Sequence, residues 1–153
     1  MKPVSQILQT KSDNSVYAVA PDARVHDALQ LMAEKGVGAL LVMDGPEVLG
    51  ILSERDYARK VELRGRSSRE TPVTAIMSAP VIVVRPDQSN EQCMALMTEN
   101  RLRHLPVVDN GKLVGLISIG DLVKDIISEQ QYIIEQLQHY IRGEVSVAGG
   151  AYQ

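Results

Sequence analysis

The sequence predicts an α/β (α+β) fold: two tandem β-α-β-β-α repeats packed about a pseudo-two-fold axis, with a C-terminal helix added. Three observations carry this. The chain repeats itself at a displacement of 65 positions, so that Pro21-Asp22 falls on Pro86-Asp87, Leu31-Met32 on Leu96-Met97 and Val42 on Val107. Each copy carries the same succession of apolar periods, switching between strand-like and helix-like spacing. Each copy also ends in one seven-residue grammar, GILSERD at 50–56 and GLISIGD at 115–121. No gap is needed across 16–56, and a long period present in only two copies excludes a short solenoid.

The elements follow in order. SVYAVA at 15–20 and PVIVV at 80–84 read as short strands, each followed by Pro-Asp punctuation. In RVHDALQLMAEKG, Val25, Ala28, Leu29 and Met32 mark one face of an amphipathic helix ending at Gly36. Cys93, Met94 and Met97 occupy the same stripe in the second copy, where Ser89 and Gln92 form a capping box. ALLVMDGPEVLGIL and HLPVVDNGKLVGLI are aliphatic pairs broken by Asp-Gly or Asp-Asn-Gly, a hairpin signal. A helix follows each Ser-x-x-Asp. Val4-Ser5-Gln6-Ile7-Leu8 is echoed by Val73-Thr74-Ala75-Ile76-Met77, so each half is expected to carry a lead-in segment. From Leu122 to Ile141 the pattern is helical, with an apolar stripe of Ile126, Ile133, Ile134, Leu137, Tyr140 and Ile141 and a stop at Gly143. The expected divisions are 1–65 and 66–128 for the two repeats with their lead-ins, and 129–153 for a helical extension and tail.

Composition narrows the function. The 153 residues are 44% hydrophobic and 23% charged, an ordinary globular balance. With no Phe, no Trp and five Tyr, the core must be aliphatic, and base-stacking platforms are scarce. A net charge of −3 gives no general attraction to nucleic-acid backbones. The single cysteine, Cys93, excludes an intrachain disulfide and a cysteine-rich metal site, and its place on the helix stripe marks an inert core thiol. The polar N-terminus does not read as a signal peptide, and no apolar run approaches the ~18 residues of a membrane span. A cytoplasmic protein is the expectation.

The repeated Gly, Ser and Asp have a local explanation. Gly50 and Gly115 can bend a strand. Ser53 and Ser118 can cap helices, and Asp56 and Asp121 can face the helix dipole. This explains less well why Ser and Asp both recur while the residues between them change from Glu-Arg to Ile-Gly. A ligand explains the pair. An ionised carboxylate offers two acceptors, and the neighbouring hydroxyls of a ribose offer two donors. A Ser three residues earlier, near backbone N–H groups, can meet phosphate oxygens. Such a site reads a nucleotide.

RHLPVVDNGKLVGLISIGDLVK and GALLVMDGPEVLGILSERDYARK resemble the CBS-domain family, and the duplicated unit over about 4–128 resembles a CBS-domain pair, or Bateman module, of the stand-alone bacterial type. The resemblance implies adenosine nucleotides in two symmetry-related clefts: AMP first, with ATP, ADP or NAD(H) behind it. It implies ribose on Asp56 and Asp121, and phosphate or ribose near Ser53, Ser118, Arg55 and Gly120. Arg103 and His104 match positions that meet phosphates. Thr10, Lys11, Ser12, Ile76, Met77 and Ser78 would border the adenine, with Val37 and Leu102 as apolar flanks. Where the second half has Arg103-His104 the first has Gly38-Ala39, so two sites of unequal affinity are expected.

No enzyme is read here. His26, His104 and His139 have no metal-site spacing, and Ser53 and Ser118 have no supporting His-Asp arrangement. GVGALL is not G-x-G-x-x-G, and the Gly111-Lys112 pair lacks the Ser or Thr of a phosphate loop. The expectation is a regulatory adenine-nucleotide module that signals to a protein partner in trans and forms a homodimer. No metal, nucleic acid or membrane partner is expected. The alternative is a structural or oligomerisation module with vestigial clefts. The basic run at 59–69 can reach a phosphate of the first cleft or form a solvated surface loop; nucleic-acid binding through it ranks last.

Overall fold

The structure, a computed structural model, describes residues 2–142, 145–147 and 150–152, the last two segments as backbone only. Helix α1 (Val4–Thr10) leads into strand β1 (Ala18–Val19), helix α2 (Val25–Lys35), the hairpin β2 (Ala39–Asp44) and β3 (Glu47–Ser53), and helix α3 (Glu54–Lys60). Short 3-10 turns at Glu62–Arg64 and Val73–Ala75 connect the halves. The second half has helix α4 (Asn90–Asn100), the hairpin β4 (His104–Asp109) and β5 (Lys112–Ser118), and helix α5 (Ile119–Ile141). A terminal pair, β6 (Val145–Val147) and β7 (Gly150–Tyr152), closes the chain. The expected stop at Gly143 lies outside the described residues.

The repeat is visible bond by bond. Val42 pairs with Gly50 and Met43 with Val48, skipping Leu49; Val107 pairs with Gly115 and Val108 with Leu113, skipping Val114. The same bulge therefore sits beside each recurrent glycine. Val25, Ala28 and Met32 bury one face of α2, while Cys93 and Met97 bury the matching face of α4. The Ser89–Gln92 capping box is present, and Gly36 ends α2 at φ 66. Burial pushes the Cys93 thiol upward from its usual range, consistent with an inert core group.

The predicted first strands are the main departure. Only Ala18 and Val19 form a strand, parallel to β2, and the 80–84 segment keeps a single bridge from Val84 to Val107. A missing donor accounts for the difference between the halves. Leu41 donates its N–H to the Tyr17 carbonyl at 3.1 Å, whereas the equivalent residue in the second half is Pro106, which has no N–H to give.

The lead-in segments do not pack on the halves they precede. Val4 and Ile7 of α1 are buried with Val84, Cys93, Leu105, Ile117 and Leu122 of the second half. Val73 and Ile76 are buried with Val25, Leu40, Val42 and Leu52 of the first. This exchange explains both recurrent glycines. A Cβ on Gly50 would lie 2.5 Å from Met77 Sδ and 3.1 Å from the Ser78 carbonyl oxygen, and one on Gly115 would lie 2.8 Å from a Leu8 methyl carbon. Each glycine lets the crossing segment approach the hairpin. A strand bend alone does not account for it.

The last helix is one continuous rod through residue 128, with no break between repeat and extension. Its root is anchored by Leu122 and by buried Asn90, whose Nδ2 donates to the Leu122 carbonyl at 3.0 Å and to Asp125 Oδ2 at 2.8 Å. Further along, Ile133, Ile134, Leu137, Tyr140 and Ile141 are all exposed.

Candidate functional site

Each Ser-x-x-Asp closes the start of a helix on itself. The Ser53 N–H donates to Asp56 Oδ2 at 2.9 Å, and the Asp56 N–H donates to Ser53 Oγ at 3.2 Å. The second copy repeats this, with Ser118 N–H to Asp121 Oδ2 at 2.8 Å and Asp121 N–H to Ser118 Oγ at 3.2 Å. The helices start directly after the serines, and the aspartates are their third residues. Capping thus fixes both carboxylates rigidly, with 16% and 17% of their side chains left exposed.

A lysine then takes part of each carboxylate. Lys60, one turn along α3, lies 3.3 Å from Asp56 Oδ1 and donates to the Ile76 carbonyl at 3.0 Å. Lys11, from the crossing lead-in, lies 3.1 Å from Asp121 Oδ2 and donates to the Leu116 carbonyl at 2.9 Å. The resemblance assigns Lys11 to an adenine border; here its ammonium instead sits on the second aspartate. Lys60 was missed from the sequence, although its i,i+4 spacing from Asp56 is a readable ion-pair signal.

The Asp56 motif opens onto a cleft of about 540 Å³ between the halves. Ser53, Arg55, Asp56 and Ser78 line it together with Leu102, Arg103 and His104 of the second half. Ile51 and Arg101 also line it and were not among the expected site residues, and Arg59 lines it from the start of the basic run. Arg103 belongs to the second repeat in sequence but lines the cleft of the first repeat's aspartate. The absence of a basic pair in the first half therefore does not leave the Asp56 cleft without cations.

The Asp121 side is divided. Asp121, Thr10, Lys11 and Ser12 line a cavity of about 410 Å³, whereas Ser118, Val37, Ala39 and His104 line another of about 370 Å³, with Lys11 on the wall of both. Lys11 thus stands on the wall that the two cavities share. Packing sets the positions of three further expected residues. The Ile76 side chain is fully buried in the first core, and Met77 packs partly against the same core and over Gly50. From this lead-in, only Ser78 lines the Asp56 cleft. Gly120 is exposed on the first turn of α5 and lines none of these cavities.

His104 borders both sides, being paired with Ser118 across the hairpin and lining the Asp56 cleft as well. Burial holds its pKa below the usual histidine range; Asp121 opposes this, while Lys11 and Arg103 reinforce it. Both walls are tied by backbone to the opposite clamp. The Ile119 N–H donates to the Arg103 carbonyl at 2.9 Å, and the Glu54 N–H to the Gly38 carbonyl at 3.0 Å. Among the described residues, no group of three or more His, Cys, Asp or Glu side chains could hold a metal ion, and no helix is long and apolar enough to cross a membrane.

Comparison with known proteins agrees with this geometry. The CBS domain family model matches residues 4–63 and 73–128. The chain is 37% identical over 148 residues to the mitochondrial CBS domain-containing protein CBSX3 of Arabidopsis thaliana, covering 92% of this chain and 72% of that protein. It is 34% identical over 115 residues to the CBS domain-containing protein YhcV of Bacillus subtilis, covering 75% of this chain and 81% of that one. Among solved structures, a protein with CBS domains from Burkholderia ambifaria MC40-6, described as a signal-transduction candidate, superposes with a TM-score of 0.81 at 59% identity, covering 84% of this chain and 96% of that chain. A hexameric CBS-CP12 protein from bloom-forming cyanobacteria superposes with a TM-score of 0.71 at 31% identity, covering 80% and 70%. The duplicated hairpins, the exchanged lead-ins and the family match at both repeats agree: the chain belongs to the CBS-domain family, with two CBS domains in tandem.

Proposed function

We propose that this CBS pair is a regulatory module that binds adenine nucleotides between its halves and signals to a protein partner in trans. The observation carrying this reading is the Asp56 cleft. One rigid, partly exposed carboxylate, two apolar side chains (Ile51 and Leu102) and several cations line a single opening of about 540 Å³. A carboxylate suits a ribose diol, apolar flanks suit a purine, and guanidinium groups suit phosphate. Because the cleft is built from both halves, a ligand that prefers one arrangement of them shifts the molecule toward it. AMP, ADP, ATP and NAD(H) are the candidates. Thermal shift against this panel, on protein shown to be ligand-free, tests the reading. A ligand present at ~100 times its dissociation constant stabilises the fold by about 2.7 kcal/mol. No response to any of the four sinks the reading.

A second reading has its own observation. The capping boxes and lysine pairs satisfy much of both aspartates without a ligand, and the distal half of α5 exposes an apolar stripe. On that reading the protein is an assembly module with vestigial clefts. Self-association through α5 is compatible with both readings, and the cyanobacterial relative is itself a hexamer. We favour a homodimer for this chain.

A further inference from the structure

Four guanidinium groups converge on the Asp56 cleft without acidic partners. Arg55, Arg59, Arg101 and Arg103 all line it, and among the described residues none of them is within ion-pairing distance of a carboxylate. Lys60 is paired, and it is paired with Asp56 itself. The acids on the walls are Glu54 and Asp56. The cavity beside Asp121 is balanced by contrast, with three lysines against three aspartates. Like charges gathered in one partly enclosed opening repel each other, and a compact polyanion relieves that repulsion.

Arg101 gives an independent sign. It caps α4 in the left-handed region, at φ 54 and ψ 45, where the equivalent residue of the first repeat is Gly36 at φ 66 and ψ 36. A side chain in that conformation costs about 1 kcal/mol relative to glycine. The cap itself needs no side chain: the backbone N–H of Arg101 reaches the Met97 carbonyl just as that of Gly36 reaches the Met32 carbonyl. The strained position instead carries a guanidinium at the cleft wall. Strain of this kind clusters at ligand clamps.

We propose that the Asp56 cleft selects a polyphosphate chain over a monophosphate, and that Arg101 is a specificity-determining residue for it. The inference rests on the nucleotide reading for the ribose end of the ligand only; the phosphate end is argued from the four arginines. It assigns the polyphosphate class to the Asp56 cleft and not to the charge-balanced Asp121 side.

Calorimetry on the full chain in EDTA, at two salt concentrations, tests it with AMP, ADP, ATP and inorganic tripolyphosphate. ATP is expected to bind about tenfold or more tighter than AMP, with the advantage shrinking at high salt. Arg101→Gly removes the strain, so it is expected to raise the melting temperature while cutting ATP affinity about tenfold and leaving AMP within about threefold. Arg103→Gln is expected to narrow the ATP:AMP ratio in the same direction. Equal affinity for AMP and ATP, or an unchanged ratio in Arg101→Gly, overturns the proposal and leaves the nucleotide reading standing. Binding of tripolyphosphate that Arg101→Gly abolishes, with no nucleotide binding, supports the proposal and overturns the nucleotide reading. No binding of any of the four overturns both.

Discussion

Lys11 Nζ lies 3.1 Å from Asp121 Oδ2, joining the lead-in before the first repeat to the helix that ends the second. The pair is half-sheltered, and the same ammonium is held by the Leu116 carbonyl at 2.9 Å. It is therefore both a tie between distant segments and part of the wall between the two cavities on the Asp121 side.

Lys11→Met keeps the aliphatic stem and removes the charge. Stability is expected to fall by about 1 kcal/mol or less, because the pair is partly solvated. Nucleotide affinity on the Asp121 side is expected to rise, read by calorimetry as a second binding event that strengthens. A variant that loses that event would show instead that Lys11 holds the ligand.

Capping and ligand binding are separable at Asp56. Asn retains a side-chain oxygen for the Ser53 N–H, whereas Ala removes it. Asp56→Asn is expected to change stability by well under 1 kcal/mol, and Asp56→Ala to cost about 1 kcal/mol. Both are expected to weaken AMP binding. The 2′-deoxy analogue is expected to bind wild type less well than AMP. Equal affinities would remove ribose from Asp56.

Gly50→Ala drives a methyl group against Met77 and the Ser78 backbone, and is expected to cost about 1–3 kcal/mol in denaturant unfolding. Gly115→Ala meets only the end of the Leu8 side chain and is expected to cost less. The order of the two penalties checks the exchanged lead-ins directly.

His104 gives a pH dependence of fixed sign. Its folded pKa is depressed, so the unfolded chain binds the proton more readily. The stabilisation is complete above the unfolded value of about 6.5 and is lost as pH falls toward the folded value. His104→Gln is expected to flatten the stability profile below about pH 6.5. An unchanged acid limb would assign that limb to other groups.

Truncation after Ser128 tests the role of α5. The last buried residues of α5, Leu122 and Asp125, are retained, while the exposed apolar stripe is removed. The truncated protein is expected to fold and to be monomeric by light scattering, with the full chain dimeric. A dimer that survives truncation would place the interface elsewhere.

The duplication, both hairpins, the α2 and α4 stripes, the Ser89 cap and the clamp residues Ser53, Asp56, Ser118 and Asp121 were legible without coordinates. Each depends on local spacing, and periodicity and capping are local properties. Some finer features were also readable, such as the Lys60–Asp56 spacing and the arginine that stands where the first repeat has Gly36. Partnership between the halves was not. Which core each lead-in joins, why Gly50 and Gly115 must lack a Cβ, why Arg103 lines the Asp56 cleft, and how Lys11 comes to divide the second cleft all depend on contacts between residues dozens of positions apart. Two repeats with one grammar are compatible with more than one way of packing together. Burial of Val4 and Ile7 in one core, and of Val73 and Ile76 in the other, selects the packing found here. The sequence alone determined two similar clamps. The tertiary structure decided that they open onto unlike clefts, because each cleft takes its opposite wall from the other repeat.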